Sequence, residues 1–110
     1  MTSPIDDVLE MLADDMIYHG WLVQYLEQSG TDSAAVGKRI RPLLADLLAS
    51  GKVEVGVPEA MAEYVAFVAW KGTVEERLRR AEAAVEAASG NEKGFAYWLC
   101  LRETVDVFEM

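Results

Sequence analysis

The stretch from Ile40 to Val57, IRPLLADLLASGKVEVGV, changes its hydrophobic period at a single glycine, and that change constrains the fold more than any other feature of the chain. Ile40, Leu43, Leu44, Leu47 and Leu48 recur at the one-face spacing of a helix. Beyond Gly51, the residues Val53, Val55 and Val57 alternate with Glu54 and Gly56 as in a strand. A helix therefore runs into a turn and then a strand. Gly51 stands where a helix stops in the left-handed conformation, which a side chain would oppose.

The 110 residues fit one domain, 1–110, and a chain of this size buries roughly 65% of its unfolded surface without needing a disulfide or a metal. The hydrophobic fraction is 52%, yet no apolar run approaches the ~20 residues that span a bilayer. Met1 to Pro4 has no basic leader ahead of an apolar segment. The expectation is a soluble, cytoplasmic protein without a membrane partner. The single cysteine, Cys100, has apolar neighbours and reads as an inert core thiol.

Net charge is −9, and its distribution says more than its sum. From Met1 to Asp32 the chain carries Asp6, Asp7, Glu10, Asp14, Asp15, Glu27 and Asp32 and no lysine or arginine. Lys38, Arg39, Arg41 and Lys52 then oppose Asp46 alone, before an acid excess returns. Phosphate neutralisation supplies most non-specific nucleic-acid affinity, so nucleic acid is disfavoured as a partner and a basic protein is favoured.

In chain order, Ser3-Pro4-Ile5-Asp6 reads as a helix start, with Asp6 and Asp7 at the positive end of the dipole. The stripe Ile5, Val8, Leu9, Leu12, Ala13, Met16 carries this helix to about Tyr18. Gly20 breaks the chain, and Trp21 to Leu26 forms a second, short helix. Thr31-Asp32-Ser33 turns and caps a third, from Ala34 to Ala49, bent near Arg39 because Pro42 interrupts it. After the Val53–Val57 strand, valine and aromatic enrichment favours an extended segment from Tyr64 to Trp70 over a helix. Thr73 and Glu76 make a capping-box pair for a helix from Val74 to Ser89, closed at Gly90. Phe95 to Leu101, FAYWLCL, is apolar on both faces and reads as a central strand antiparallel to Val53–Val57. In the tail, Val105, Val107 and Phe108 extend the sheet or pack against it.

Candidate chemistry is sparse. His19, at the junction of the first two helices, lacks a local nucleophile or orienting acid and reads as a helix-end cap. Asp14 and Asp15, with Glu10 one turn earlier, are adjacent positions pointing apart rather than converging oxygens, so they read as solvated carboxylates. No phosphate-binding loop, zinc spacing, nucleophile elbow or dinucleotide fingerprint is present. The expectation is no enzyme, no cofactor and no metal. Rings remain to spare: Trp21 and Tyr25 lie beside the acidic opening, and FAYWLCL holds more apolar side chains than one covered sheet face needs. Aromatic anchors inside an acidic rim suit a module that covers a basic partner.

The acid-rich opening helix, Met16-Ile17-Tyr18 to Tyr25, Leu47 to Val53, Trp70 to Leu78, and Tyr97-Trp98-Leu99 together resemble a group of small bacterial winged-helix-like proteins that includes immunity and antitoxin partners of polymorphic toxins. The resemblance covers nearly the whole chain and implies an α+β, winged-helix-like fold. Three N-terminal helices would precede a small antiparallel sheet, with one further helix inserted in the wing. The implied function is inhibition of a cognate toxin; the acidic opening and its neighbouring rings, read from the residues themselves, make Asp14, Asp15, Tyr18, Trp21, Tyr25 and Glu27 the expected partner-binding set. The alternative is a winged-helix transcription regulator reading DNA through Lys38, Arg39 and Arg41. A third reading is a homodimer joined at FAYWLCL.

Overall fold

The computed structural model describes residues 4–60 and 65–104, with the backbone alone at Ser33, Val65 and Thr104. The chain is α+β. Its main elements are α1 (Pro4–Leu12), β1 (Ile17–Tyr18), α2 (His19–Gln28), α3 (Val36–Ala49), β2 (Val53–Ala60), β3 (Val65–Ala69), α4 (Val74–Ala87) and β4 (Trp98–Leu101). The four strands form one antiparallel sheet in the order β1-β4-β2-β3.

The order of the elements differs from the expected one. The expected run of three helices before the sheet is interrupted, because α1 stops at Leu12 and Ile17–Tyr18 forms an edge strand. Helical spacing carries on through Met16, but Asp14 and Asp15 sit in a turn, where Met16 N–H donates to Asp15 Oδ1 at 2.7 Å. Short acidic side chains that bond nearby backbone compete with the helix. Ile17 then gains more from the sheet, where it is buried opposite Leu99. Gly20 lies in the first turn of α2 instead of separating two helices. The proposed Ser3 cap falls outside the described residues.

A 3-10 turn, Ser33–Ala35, leads into α3, so the helix starts at Val36, two residues later than expected, and it continues through Pro42. Ile40, Leu43, Leu44, Leu47 and Leu48 are all buried, as their spacing predicts. Ser50 is the C-cap, and Gly51 has a φ of +75°, the left-handed value that ends the helix. Val53 and Val55 turn inward with Leu99 and Leu101 of β4, and with Trp70, Leu78 and Ala81 they complete the core.

Val53–Val57 and the Phe95 segment pair antiparallel as expected, and β4 is central, flanked by β1 and β2. The strand is shorter than predicted, however, because Gly90–Phe95 winds as a 3-10 helix that leaves Phe95 exposed. Two glycines within that segment, Gly90 and Gly94, favour the turn over extension. Within the segment expected to be extended from Tyr64 to Trp70, β3 runs from Val65 to Ala69; Tyr64 lies outside the described residues, as do Val105, Val107 and Phe108. The capping box at Thr73 and Glu76 is complete, and α4 ends at Ala87. Cys100 is free and buried.

Gly56 is where β2 meets both neighbours, Ala69 of β3 and Trp98 of β4. A Cβ there would overlap the Val68 carbonyl oxygen and lie 2.9 Å from Ala69 Cα, so the backbones approach as closely as they do only because the side chain is a hydrogen. Gly56→Ala should therefore cost about 3 kcal/mol of stability, read from urea unfolding, while Gly51→Asn, at a left-handed position with open space, should cost much less.

Candidate functional site

The two sides of α3 have different fates. One buries its leucines; the other shows Lys38, Arg39, Pro42 and Asp46 to solvent. Arg41 lies between them and turns toward α4. Its Nη2 donates to Glu75 Oε1 and Oε2 at 2.8 and 3.0 Å, and its Nη1 pairs with Glu82. Such half-exposed pairs contribute about 1 kcal/mol at most. Their consequence is electrostatic, since Arg41 is withdrawn from the basic trio and α4 lays carboxylates along α3.

The other cations are largely committed as well. Arg102 donates to Glu54 at 2.8 Å, Arg77 lies 3.7 Å from the same carboxylate, Arg79 bonds Glu75 at 3.2 Å, and Arg80 stacks 4.4 Å above the Trp70 ring. Lys93 Nζ donates to the Val85 carbonyl at 2.9 Å. Among the described residues, Lys38, Arg39, Lys52 and Lys71 have no side-chain hydrogen bond or ion pair, and neither have the carboxylates Glu10, Asp14, Glu27 and Asp32.

The expected partner-binding residues fall into separate settings. Asp14 and Asp15 are exposed in the turn after α1. Trp21 and Tyr25 stack nearly parallel at 5.4 Å, half-buried against the core, and Tyr25 Oη donates to Asp7 Oδ2 at 2.6 Å. That hydrogen bond, with burial and the Asp7 charge, raises the Tyr25 phenol above its ordinary value and ties the ring pair to the acidic helix. Tyr18 belongs elsewhere: it packs on Phe95 at 5.0 Å and on its cross-strand partner Trp98 at 5.1 Å. Phe95 is 56% exposed, so part of the aromatic surplus of FAYWLCL does reach the surface.

Glu27 is exposed at the rim of a groove that the sequence did not reveal. With His19 and Val23 it forms the ladder of three residues, each four positions from the next, that α2 contributes. Val36, Ile40 and Leu44 of α3 and Leu78, Ala81 and Val85 of α4 line its apolar part, and Tyr97 and His19 supply its polar pair. The volume is about 370 Å³. His19 does not cap a helix end with its ring. Nδ1 lies 2.9 Å from Tyr97 Oη, and the backbone N–H of His19 donates to the Tyr97 carbonyl at 3.2 Å. Burial, and secondarily the Lys93 charge, lower the His19 pKa, and burial raises that of Tyr97, so both rings are neutral near pH 7.

Comparison with protein-family models, curated proteins and solved structures finds no match to this chain.

His19 is the chain's one histidine, which makes its titration separable. Unfolding restores its ordinary value of 6.5, so below that pH the unfolded chain binds the proton more readily than the folded one. Stability should fall as pH drops through 6.5 toward the lowered folded value, and flatten below it. Urea midpoints between about pH 7.5 and 5.5 should show this slope, and His19→Gln should remove it. An identical slope in the variant would assign it to another group.

Proposed function

We propose that this chain is a non-enzymatic, acidic protein-binding module, an inhibitor of the immunity or antitoxin type that covers the active cleft of a basic toxin or enzyme. The observation that carries this reading is the disposition of charge. Most arginines are spent on the chain's own carboxylates or rings, while Glu10, Asp14, Glu27 and Asp32 have no partner among the described residues. The field presented outward by the N-terminal third is therefore negative, and a field of one sign speeds encounter with a partner of the other. The Trp21–Tyr25 pair, fastened to Asp7, offers an apolar anchor next to those carboxylates. No helix among the described residues is long and apolar enough to cross a membrane, and the cytoplasm is the compartment this reading expects.

The finer architecture belongs to the same proposal: a winged helix with β3 and α4 inserted before its last strand. Its support is that β1 lies between α1 and α2 and pairs with β4, which in turn pairs with β2, the strand after α3. The second reading, a DNA-binding regulator, draws on Lys38 and Arg39, which are exposed on α3 without ion-pair partners among the described residues. Arg41 counts against it, being held by Glu75 and Glu82.

Titration against the product of the neighbouring gene should give a complex that weakens with salt, and absence of a complex at low salt would sink the proposal. Within such a complex, Glu10→Lys with Asp14→Lys should slow association about tenfold at low ionic strength, the difference shrinking as salt is added. For the second reading, a promoter gel shift lost in Arg39→Glu is the expected result.

A further inference from the structure

The groove between α2, α3 and α4 has the dimensions and chemistry of a ligand site. Its volume of about 370 Å³ lies in the range of small-molecule pockets, which begin near ~300 Å³ and combine apolar walls with a few polar groups. Buried side chains from α3 and α4, Ile40, Leu44, Leu78 and Ala81, make the floor apolar. The polar groups are distributed unevenly. At one end lies the neutral His19–Tyr97 pair; at the exposed rim stand Glu27 of α2 and Glu82 and Glu86 of α4.

Arg41 is the one cation lining this groove, and two carboxylates already share it. The rim is therefore negative in balance. Helix geometry adds to this, because Glu27 and Glu86 sit in the last turns of α2 and α4, where the orphan carbonyls carry the negative end of the dipole. The chain itself places a cation on one of those carbonyls, with Lys93 Nζ donating to Val85. An anionic ligand would meet three rim carboxylates, Glu27, Glu82 and Glu86, against Arg41 and the nearby Lys93, and a purely apolar one would leave the carboxylates unused.

We infer that the groove binds a small organic cation, an aromatic or aliphatic body seated on Ile40, Leu44, Leu78 and Ala81 with an ammonium at the Glu27 and Glu86 rim. The site lies on the opposite flank of α2 from Trp21 and Tyr25, since His19, Val23 and Glu27 repeat every fourth residue on one side of the helix axis and the two rings repeat on the other. The groove therefore opens away from the Trp21–Tyr25 anchor, and Glu27 is the residue it shares with the acidic surface proposed above. Gly37 supplies a means of closing the groove: it lines the rim, is exposed, and a Cβ there meets nothing within 4 Å.

Tryptamine is a suitable probe, compared with its neutral alcohol and its carboxylate analogue by heteronuclear NMR of the full chain. The expected result is saturable shifts at His19, Val23 and Val85 with tryptamine, binding roughly tenfold weaker for the alcohol, and none for the acid. Glu27→Gln with Glu86→Gln, both at exposed positions, should bring tryptamine down to the level of the alcohol. Gly37→Trp should abolish binding, while Gly37→Ala binds as the parent does, and thermal melts of both report folding. Equal binding of acid and amine, shifts confined to other surfaces, undiminished binding in the Gln pair or in folded Gly37→Trp, or no binding at millimolar tryptamine would each overturn the assignment.

Discussion

Burial of α3 is the constraint on which the remaining structure depends. Its buried side chains, Val36, Ile40, Leu43, Leu44, Leu47 and Leu48, form a broad stripe along one face, which is covered by helices on its flanks as well as by the sheet. Val8 and Leu12 of α1, Leu22 and Leu26 of α2, and Leu78 and Ala81 of α4 provide that cover in the same core. The Gly51 turn then fixes where β2 leaves the helix, and β2 organises the sheet by pairing with β3 on one side and β4 on the other. The close approach at Gly56 is the point where those pairings meet.

Placing α4 beside α3 has an electrostatic outcome as well as a packing one. A helix whose first turn carries Glu75 and Glu76 and whose middle carries Glu82 brings Glu75 and Glu82 alongside Arg41. The basic trio is reduced to Lys38 and Arg39, and the arginines elsewhere are held by Glu54, Glu75 and the Trp70 ring. The N-terminal third, which has no lysine or arginine, keeps its exposed carboxylates uncancelled. On that surface rests the proposal of a basic protein partner.

The helices around α3 do not close completely, and the gap is the groove. Its polar end is made by residues far apart in sequence, His19 and Tyr97, joined side chain to side chain and again through the backbone. This double link fastens the start of α2 to the segment entering β4, beside the β1–β4 pairing. Neutral rings suit this setting, with Tyr97 buried and His19 half-buried, better than charged ones, which is why desolvation moves both titrations away from neutrality.

Much of the fold was legible because helix and strand periods are local properties. The α3 stripe, the Gly51 stop, the β2 alternation, the Thr73 capping box and the antiparallel partnership of β2 and β4 could all be read from neighbouring residues. Composition also pointed to an excess of rings, of which Phe95 is an exposed member. Ile17–Tyr18 escaped because a two-residue strand has no period of its own, and only Leu99 and Trp98 across the sheet make it one. Whether an arginine is available, which carboxylate it meets, and whether His19 caps a helix or joins Tyr97 depend on residues brought together from distant parts of the chain. Charge acts through space, so the sequence by itself determined how much there is and of which sign, and packing alone decided where it is cancelled.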